Sequence, residues 1–552
     1  MGKIKVSYYL TEQLEKLGIS DFFGLPGDYN FKLIESVEKN PSTNWIGCTN
    51  ELNAGYATDG YARVKGYGAL ITTYGVGELS AINAIAGCFA ENIPVIKIVG
   101  VPATKFIEQN TVLHHNFEHP DYYAFEKAYS SVVETTAYLN KTNAKSEIDR
   151  VLSVFVNQKK PVYIAVPVDI CDMEIDNNPN FDIAKSDEKN LSAAVSHILE
   201  LINDSKKPVI IADVLVERFL AVEEAKKFIE KSKIPVTTFL MGKGLIHSDY
   251  EGFIGTYLGK YENQSVYEYV NNSDCVMSIG VIYSDLNTFG FDIGFNPSDN
   301  IQIFGTYTIV ENYKYENILM ADVLQALYEQ ITPKKIAVPQ REKTFFVSKS
   351  NTDEKLSAKY IFPRFQDFLL PDDIVFSETG IISYGVAAMD LPKGANLYNQ
   401  VLWGPIGWAT PAAFGASIAA KDKRVVLLTG EGSHQLTACE ISSMMRYGTK
   451  PVIIVLNNDG YTIERLLSDD PMDEFNEIAQ WNYSKLPEVF TGDVWTAQAR
   501  TNNEFDSVLT EAKEQQKTKM CYIEIFADKM DIPDLTKKII ECKLTNKAAK
   551  TV

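Results

Sequence analysis

Short apolar runs alternate with longer amphipathic segments along most of the chain, and this alternation restricts the fold more than any other feature. The runs are six to eight residues long and rich in β-branched residues: GALITTY (68–74), PVIKIVG (94–100), PVYIAVP (161–167), KPVIIAD (207–213), CVMSIG (275–280), RVVLLTG (424–430) and PVIIVLNN (451–458). Strands that alternate with helices form parallel sheets with helices packed on them. The sequence therefore predicts an α/β fold.

Two polar stretches interrupt this rhythm, at 176–190 and 333–355. Both contain prolines and mixed charges, which is typical of linkers. A chain of 552 residues is also too long for a single core. We therefore predict three doubly wound parallel-sheet domains, at 1–180, 190–335 and 355–552.

The composition is that of a folded acidic protein, with 45% hydrophobic and 23% charged residues and a net charge of −19. Nucleic-acid binding needs a concentrated positive surface, so we expect no nucleic-acid partner. An acidic protein that binds phosphate groups must neutralise them locally, with a divalent metal or with helix N-termini.

Nothing in the sequence predicts a membrane or secretory protein. The first residues, MGKIKVSYYLTEQLEKLG, form an amphipathic pattern, and no apolar run reaches the roughly 18–20 residues of a membrane span. The seven cysteines are scattered without a C-x-x-C spacing, and we interpret them as reduced thiols without a chemical role. We expect a cytoplasmic protein.

The segment from Arg424 to Leu467 contains two predicted strands, each followed by polar residues. Ligands bind at the carboxyl ends of strands in open α/β sheets. Glu431 follows the first strand, and Asn458 and Gly460 follow the second; their oxygens are suited to Mg²⁺. Glycine-rich loops also form purely structural turns, so this segment alone leaves both interpretations open.

The residues of this segment resemble a known cofactor-binding signature. G-E-G-S at 430–433 followed by N-N-D-G-Y-T at 457–462 is similar to the cofactor motif of thiamine-diphosphate-dependent enzymes. The resemblance implies that Mg²⁺ is bound by Glu431, Asn458 and Gly460, and that Gly432 and Ser433 contact the cofactor. The family usually has aspartate where this chain has Glu431, and a longer side chain could loosen the metal or change its selectivity.

A second motif belongs to the same family. Residues 51–63 read E-x-x-A-x-x-A-x-x-G-Y-A-R, which resembles the helix that carries the activating glutamate. By this resemblance Glu51 hydrogen-bonds N1′ of the cofactor's aminopyrimidine and favours its imino form. The alternative is that Glu51 only stabilises a helix N-terminus. The segment VLWGPIGWATPAA (401–413) resembles the aminopyrimidine seat, with the Gly404 carbonyl as hydrogen-bond acceptor and Ile406 holding the cofactor bent.

Further residues indicate one branch of the family. GLPGDYN (24–30), TTYGVGELS (72–80), the pair His114–His115 and GYTIER (460–465) together resemble pyruvate and indolepyruvate decarboxylases. The resemblance implies that Asp28, His114 and His115 serve protonation and product release, and that Glu464 acts near the substrate carboxylate. It also implies cofactor contacts from two residues: Thr73 and Ile463. Taken singly, Asp28 could cap a helix and Glu464 could be an exposed helix residue.

The predicted activity is the non-oxidative decarboxylation of a 2-oxo acid to an aldehyde and CO₂, through an enamine on thiamine diphosphate. The substrate stays open between pyruvate, branched-chain acids, phenylpyruvate and indolepyruvate. The alternative is a carboligase resembling acetolactate synthase. A nucleotide-binding regulatory protein is a different class, but the middle segment has no G-x-G-x-x-G opening a helix. The resemblance also implies a homodimer or homotetramer with active sites at the interface. By the same resemblance, the three domains are a pyrimidine-binding, a middle and a diphosphate-binding domain.

Overall fold

The fold was analysed in a computed structural model that describes residues 2–341, 345, 352–490 and 492–549. The chain divides into two compact units. The first unit comprises Met1–Ala184, Thr410–Asp422 and Thr437–Thr449. The second unit comprises Lys185–Ala409, Lys423–Leu436 and Lys450–Val552. Each unit is described by itself.

The first unit is built on a six-stranded parallel sheet with the strand order β3-β2-β4-β5-β7-β6. A separate antiparallel pair joins β1 to β8. The strands are β1 (Lys3–Lys5), β2 (Asp21–Gly24), β3 (Asn44–Gly47), β4 (Gly68–Thr73), β5 (Val95–Val101), β6 (Thr136–Tyr138), β7 (Val162–Pro167) and β8 (Glu174–Asp176). The helices are α1 (Val6–Lys16), α2 (Phe31–Lys39), α3 (Glu51–Lys65), α4 (Val76–Ala90), α5 (Thr104–Glu108), α6 (Ala124–Tyr129), α7 (Ala144–Gln158) and α8 (Val168–Cys171).

The second unit contains two sheets, of which the first has the order β11-β10-β9-β12-β13-β14-β15. Its strands are parallel except for β14 and β15, which form an antiparallel hairpin at one edge. The strands are β9 (Pro208–Ala212), β10 (Val236–Thr238), β11 (Phe253–Thr256), β12 (Cys275–Ile279), β13 (Ile301–Ile303), β14 (Tyr307–Val310) and β15 (Tyr313–Glu316). The helices are α9 (Glu188–Asp204), α10 (Leu215–Arg218), α11 (Val222–Ser232), α12 (Gln264–Asn271) and α13 (Met320–Gln330).

The last sheet is parallel throughout, with the order β17-β16-β18-β19-β21-β20. Its strands are β16 (Ile374–Ser377), β17 (Asn396–Tyr398), β18 (Val425–Gly430), β19 (Val452–Asn457), β20 (Val494–Ala499) and β21 (Met520–Phe526). The helices of this part of the chain are α14 (Ala358–Phe368), α15 (Ile381–Ala387), α16 (Ala409–Ala419), α17 (Glu431–Gln435), α18 (Ile441–Arg446), α19 (Thr462–Leu467), α20 (Leu486–Val489), α21 (Asn502–Gln515) and α22 (Asp534–Ala549). Because β18 and β19 are neighbours, the residues after them lie side by side.

The predicted fold class is confirmed: three sheets, mostly parallel, are flanked by helices. The apolar runs form their strands because most of their residues are buried on both faces, as in β4, β5 and β7. Of the predicted linker at 333–355, residues 342–344 and 346–351 lie outside the described residues. Among the helices that the structure describes, none is long and apolar enough to cross a membrane.

Candidate active site

Glu51 is the first residue of α3 and lies half-buried in the first unit. Asn50 caps the helix, because its side-chain oxygen accepts a hydrogen bond from the backbone N–H of Asn53 at 2.8 Å. Gly77 faces the carboxylate: a Cβ atom there would lie 3.1 Å from Glu51 Oε1. The positive end of the helix dipole favours the ionised form of a carboxylate in this place.

A fully buried glutamate, Glu440, fixes the turn before α3. Its Oε2 atom accepts hydrogen bonds from Thr49 Oγ1 at 2.6 Å and from Asn53 Nδ2 at 2.9 Å. Glu440 belongs to the segment 437–449, which packs within the first unit. This residue was not predicted from the sequence, although a single acidic side chain in the otherwise uncharged stretch around Ile441 was a usable signal.

Asp28, His114 and His115 lie together in the first unit. His114 Nε2 and Asp28 Oδ2 are 2.9 Å apart, and the two imidazole rings are 4.5 Å apart between centroids. One ligand atom of each of the three side chains lies within 4.8 Å of the others. About half of the Asp28 and His114 side chains is exposed, so both can exchange protons with a ligand or with solvent. These groups therefore form one acid–base cluster.

Gly75 and Tyr74 stabilise the loop that carries His114 and His115. Gly75 has φ of +62°, and a Cβ atom there would lie 2.1 Å from the backbone oxygen of His115. His115 itself has φ of +71°, a conformation that costs a non-glycine residue about 1 kcal/mol or more. The Tyr74 hydroxyl donates to the backbone carbonyl of His114 and stabilises this conformation.

Thr73 ends β4 next to this loop and is 8% exposed. Its Oγ1 atom is buried and has no hydrogen-bond partner among the described residues. A buried hydroxyl without a partner costs about 1–3 kcal/mol, so native proteins usually satisfy it. Thr73 therefore has a hydroxyl group available to a polar atom of a ligand, and its role in cofactor binding stays a prediction.

Glu431 begins α17 directly after β18 and is almost completely buried. Its Oε1 atom accepts hydrogen bonds from the backbone N–H of Gly460 at 2.8 Å and of Asn458 at 3.2 Å. These bonds join the ends of the neighbouring strands β18 and β19. The structure thus brings the three predicted metal ligands into direct contact.

Three acceptor oxygens converge at this point. The Asn458 side-chain oxygen lies 3.2 Å from Glu431 Oε2 and 3.2 Å from the Gly460 carbonyl oxygen, while Asn458 Nδ2 donates to Thr462 Oγ1 at 2.7 Å. Rotating the amide would turn two of these contacts into hydrogen bonds, and the amide oxygen would then accept from the Thr462 hydroxyl, so the rotated amide suits the protein groups alone. The unrotated amide presents carboxylate, amide and carbonyl oxygens together, which is the donor set that Mg²⁺ prefers. The residues therefore fit a divalent cation.

Burial raises the pKa of Glu431 to about 7, despite the backbone N–H groups of Gly460 and Asn458, which lower it. A buried carboxylate is stabilised by an adjacent positive charge. The electrostatics of the site therefore also favour a cation at Glu431 Oε2.

Glycines shape the backbone next to these ligands. A Cβ atom at Gly432 would lie 2.6 Å from the Tyr461 ring, and one at Gly460, where φ is +123°, would lie 2.4 Å from the Asn476 carbonyl oxygen. Ser433 follows at the start of α17 and is buried. The backbone here can approach a ligand closely, as the predicted diphosphate contacts of Gly432 and Ser433 require.

Gly404 and Ile406 lie on a loop before α16. Gly404 has φ of +70°, a Cβ atom there would meet no described atom within 4 Å, and Ile406 remains 37% exposed. The fully buried Glu378 supports the end of this loop, since it accepts hydrogen bonds from the backbone N–H groups of Gly407 and Ala409. Burial raises the pKa of Glu378 to about 7. Glu378 was not predicted from the sequence to belong to the site.

Ile463 and Glu464 lie in the first turn of α19, after the loop that contains Asn458 and Gly460. The Ile463 side chain faces Gly380, at 3.8 Å from a Cβ position there. Glu464 is exposed, whereas the adjacent Arg465 is fully buried and donates to the backbone carbonyl of Asp459 at 2.9 Å. Arg465 therefore holds the loop that presents Gly460, a role that the sequence motif did not reveal.

Lys97 is the most unusual residue that was not predicted from the sequence. It lies within the apolar run 94–100 and is completely buried in β5. Its ammonium group donates to Thr72 Oγ1, and the charges of Glu78 and Glu51 act on it. The signal was present in the sequence, because a lysine inside a central parallel strand needs a partner.

Comparisons with known proteins agree with this geometry. Residues 4–125, 195–329 and 380–525 match three families in turn: thiamine pyrophosphate enzyme, N-terminal TPP binding domain; central domain; and C-terminal TPP binding domain. The chain is 35% identical over 549 residues to a pyruvate decarboxylase of Kluyveromyces lactis, with 97% of each chain covered. This chain belongs to the thiamine pyrophosphate enzymes.

Other relatives of this thiamine pyrophosphate enzyme have similar names. Pyruvate decarboxylase isozyme 1 of Saccharomyces cerevisiae is 35% identical over 549 residues, again with 97% of each chain covered. A putative pyruvate decarboxylase of Schizosaccharomyces pombe is 37% identical over 503 residues, with 88% of each chain covered. The predicted family and cofactor class are thereby confirmed.

Proposed function

We propose that this protein decarboxylates a small 2-oxo acid to the corresponding aldehyde and CO₂, with thiamine diphosphate and Mg²⁺. The observation that carries the proposal is the cluster of Asp28, His114 and His115, whose ligand atoms lie within 4.8 Å of one another. Release of an aldehyde requires a proton on the carbon that loses CO₂, and this cluster offers three groups that can supply it. The relatives named pyruvate decarboxylase support the same reaction.

The cofactor would be held at both of its ends by residues described above. Bound thiamine diphosphate supplies a nucleophilic carbon that adds to the 2-oxo group and accepts the electrons released with CO₂. Glu431, Asn458 and Gly460 would bind the Mg²⁺ that neutralises the diphosphate, and Gly432 and Ser433 would contact the phosphate oxygens.

Other residues would orient the organic part of the cofactor. The Glu51 carboxylate would hydrogen-bond pyrimidine N1′, and the Gly404 carbonyl would accept from the 4′-amino group. Ile406 and Ile463 would enclose the rings, and the Thr73 hydroxyl, which has no partner among the described residues, would bond a polar cofactor atom. Holding the reacting groups in one geometry is a large source of rate enhancement.

The chain's acid–base groups would then move the protons. His114 is oriented by Asp28 at 2.9 Å, and His115 is held beside it by the loop of Gly75. Glu464, which is exposed on α19, would act near the substrate carboxylate. Ser383 is buried, and its hydroxyl donates to the Gly380 carbonyl at 2.7 Å.

The proposed assembly is a homodimer or homotetramer with active sites at the interface, in the cytoplasm. Exposed apolar side chains next to the site residues support an interface: Val76 and Leu79 follow the Gly75 loop, and Trp403 is 47% exposed beside Gly404. Sedimentation of the cofactor-loaded protein measures the assembly, and imaging of a fluorescent fusion measures the location.

A substrate panel with product analysis tests the activity. Protein stripped of cofactor receives thiamine diphosphate and Mg²⁺, and then pyruvate, a branched-chain acid, phenylpyruvate or indolepyruvate. We expect free aldehyde and CO₂ in equal amounts from at least one acid. A hydroxy-oxo acid as the main product would instead indicate the carboligase alternative.

A histidine variant tests the role of the cluster. In His114→Gln we expect aldehyde release to fall by about 100-fold, since general acid–base catalysis contributes about 10²–10⁴-fold. The matched control is His119→Gln, because His119 is exposed in the same loop. Equal aldehyde release by both variants would contradict the proposed role.

A further inference from the structure

Lys97 lies in the middle of β5 with no exposed surface. In the sheet it is paired with Leu70 of β4 and with Tyr163 of β7. Removing an ammonium group from water costs several kcal/mol unless the protein supplies charged or hydrogen-bonding partners. The groups around Lys97 therefore indicate the role of this buried positive charge.

A short path leads from Lys97 to Glu51. The Lys97 ammonium donates to Thr72 Oγ1 on the adjacent strand. Gly77 lies next to Thr72 and to Glu51. A Cβ atom at Gly77 would lie 3.5 Å from Thr72 Cβ and 3.1 Å from Glu51 Oε1. Thr72 and the bare glycine thus lie between the ammonium and the carboxylate.

Glu78 is the second carboxylate beside Lys97 and is 1% exposed. Its Oε1 accepts from the backbone N–H of Gly75 at 2.8 Å, and its Oε2 accepts from the Tyr163 hydroxyl at 2.8 Å. Four further elements contribute charged or titratable groups that interact with Lys97 or Glu78. These groups are Glu51, Glu126, Tyr129, Tyr138 and Tyr163. Lys97 is the only cation among these described groups, so its charge is shared between Glu78 and Glu51.

We propose that Lys97 is a positioning residue whose buried ammonium group keeps the Glu51 carboxylate ionised when the cofactor pyrimidine binds. The inference rests on the proposed role of Glu51. An opposite charge in a low-dielectric interior favours the ionised carboxylate. An ionised Glu51 accepts the hydrogen bond of a protonated ring nitrogen, which is the form of the pyrimidine that the proposed role requires.

The pair of Lys97 and Glu78 makes the electrostatic stabilisation of ionised Glu51 dependent on pH. Burial lowers the pKa of Lys97 to about 7, although Glu78 and Glu51 raise it, and burial raises the pKa of Glu78 to about 7. As the pH rises through this range, the net charge of the pair becomes less positive. Glu51 therefore loses electrostatic support towards alkaline pH. Replacing Lys97 by a neutral residue removes one positive charge at every pH at which the lysine is protonated.

Calorimetry of cofactor binding measures this effect without turnover. Binding of thiamine diphosphate with Mg²⁺ to stripped protein is followed in two buffers of different ionisation enthalpy, from about pH 5.5 to about pH 8, which gives the number of protons exchanged. In Lys97→Met we expect Glu51 to hold its proton to higher pH, so that the midpoint of proton exchange moves up by about one unit. The acidic limb of the kcat profile should move in the same direction, with KM changed less than about twofold.

Two further variants separate charge from structure. Lys97→Arg keeps the charge and should restore most of the wild-type midpoint. Lys159→Met is the matched control, because Lys159 is a mostly buried lysine of the same unit whose ammonium lies over the Tyr67 ring, at the end of β4 opposite to Thr73. It should leave the midpoint unchanged.

Each outcome decides between the hypotheses. A folded Lys97→Met with the wild-type midpoint, beside a Glu51→Gln whose proton exchange is altered, overturns the inference alone. A Glu51→Gln that binds the cofactor with the wild-type proton count overturns the proposed role of Glu51 itself. If Lys97→Met does not fold, Thr72→Val takes its place. Removing the hydrogen bond that holds the ammonium should then raise the midpoint as well, and an unchanged midpoint overturns the inference.

Discussion

Among the single residues of the site, Glu431 shows how one side chain can serve two purposes. Its Oε1 accepts hydrogen bonds from the backbone N–H groups of Gly460 and Asn458, while its Oε2 faces the Asn458 side-chain amide. From the sequence, the extra methylene relative to aspartate raised two possibilities, a more loosely held metal or a changed metal selectivity. The contacts give the longer side chain a structural role, because it ties the two strand ends together.

Replacing Glu431 therefore tests the metal site. In Glu431→Gln we expect Mg²⁺ affinity to fall by about 100-fold, because a carboxylate ligand is lost and an amide N–H₂ can face the other oxygens. Titration of the stripped protein with Mg²⁺ in the presence of thiamine diphosphate measures this. The control is Glu488→Gln, whose side chain is 59% exposed and paired with Lys485. Unchanged affinity in Glu431→Gln would place the metal elsewhere.

Glu378 leads to a prediction about pH and stability. Its pKa rises from 4.5 to about 7 on burial, so the folded state favours the protonated form. Protonated Glu378 makes its full contribution to the free energy of unfolding below about pH 4.5. This contribution, about 3 kcal/mol at most, is lost as the pH rises through about 7. In cofactor-free Glu378→Gln, the free energy of unfolding measured with denaturant should therefore not show this decrease with rising pH. A wild-type pH dependence in that variant would show that Glu378 ionises normally.

Motifs indicate candidate residues when a function depends on local spacing, as for the predicted roles of Glu51, Glu431 and Asn458. Lys97, Glu378 and Glu440 were missed for a common reason. Each is a completely buried charged residue, and its significance depends on burial and on partners far away in the chain, such as Thr49 for Glu440. Neither burial nor a distant partner can be read from a short sequence window.

Among the secondary-structure elements, α3 depends on its small residues. A Cβ atom at Gly60 would lie 2.0 Å from the Ala412 carbonyl oxygen, and one at Gly415 would lie 1.8 Å from the Ala57 carbonyl oxygen. Helices α3 and α16 therefore cross backbone to backbone within the first unit. The sequence alone did not identify α16 as the packing partner of α3.

Gly60→Ala tests this crossing. The added methyl group meets backbone rather than a flexible side chain, so we expect the first unit to lose about 2 kcal/mol or more of unfolding free energy. Chemical denaturation of the cofactor-free protein measures the change. Gly47→Ala is the control, because its nearest neighbour is a Trp45 side-chain atom at 3.6 Å. A loss of the same size in both variants would show that the crossing is not responsible.

The regular strands were predictable because a parallel strand covered on both faces is a nearly continuous apolar run. The edge hairpin of β14 and β15 was not, since β14 alternates between buried and partly exposed residues, β15 is mostly exposed and the two strands are antiparallel. Loops such as the one around Gly404 were recognised only through family resemblance, because their conformations follow from tertiary contacts.

For the protein in its entirety, a net charge of −19 opposes the binding of a diphosphate, and the divalent metal compensates for it locally. Thiamine diphosphate and Mg²⁺ together, at about 100 times their dissociation constant, should stabilise the folded protein by about 2.7 kcal/mol. Removing the metal with a chelator should abolish both this stabilisation and CO₂ release, and added Mg²⁺ should restore them. Thermal unfolding and a CO₂ assay measure the two effects; a chelator-resistant enzyme would argue against a weakly held metal.

The segments 410–422 and 437–449 belong to the first unit although they are encoded more than two hundred residues after its main part. During synthesis, the glycine face of α3 has no partner until α16 has left the ribosome. At about 5–20 residues per second this delay lasts on the order of tens of seconds. A newly made amino-terminal third is therefore an incomplete folding intermediate, and its exposed helix face is a natural substrate for chaperones.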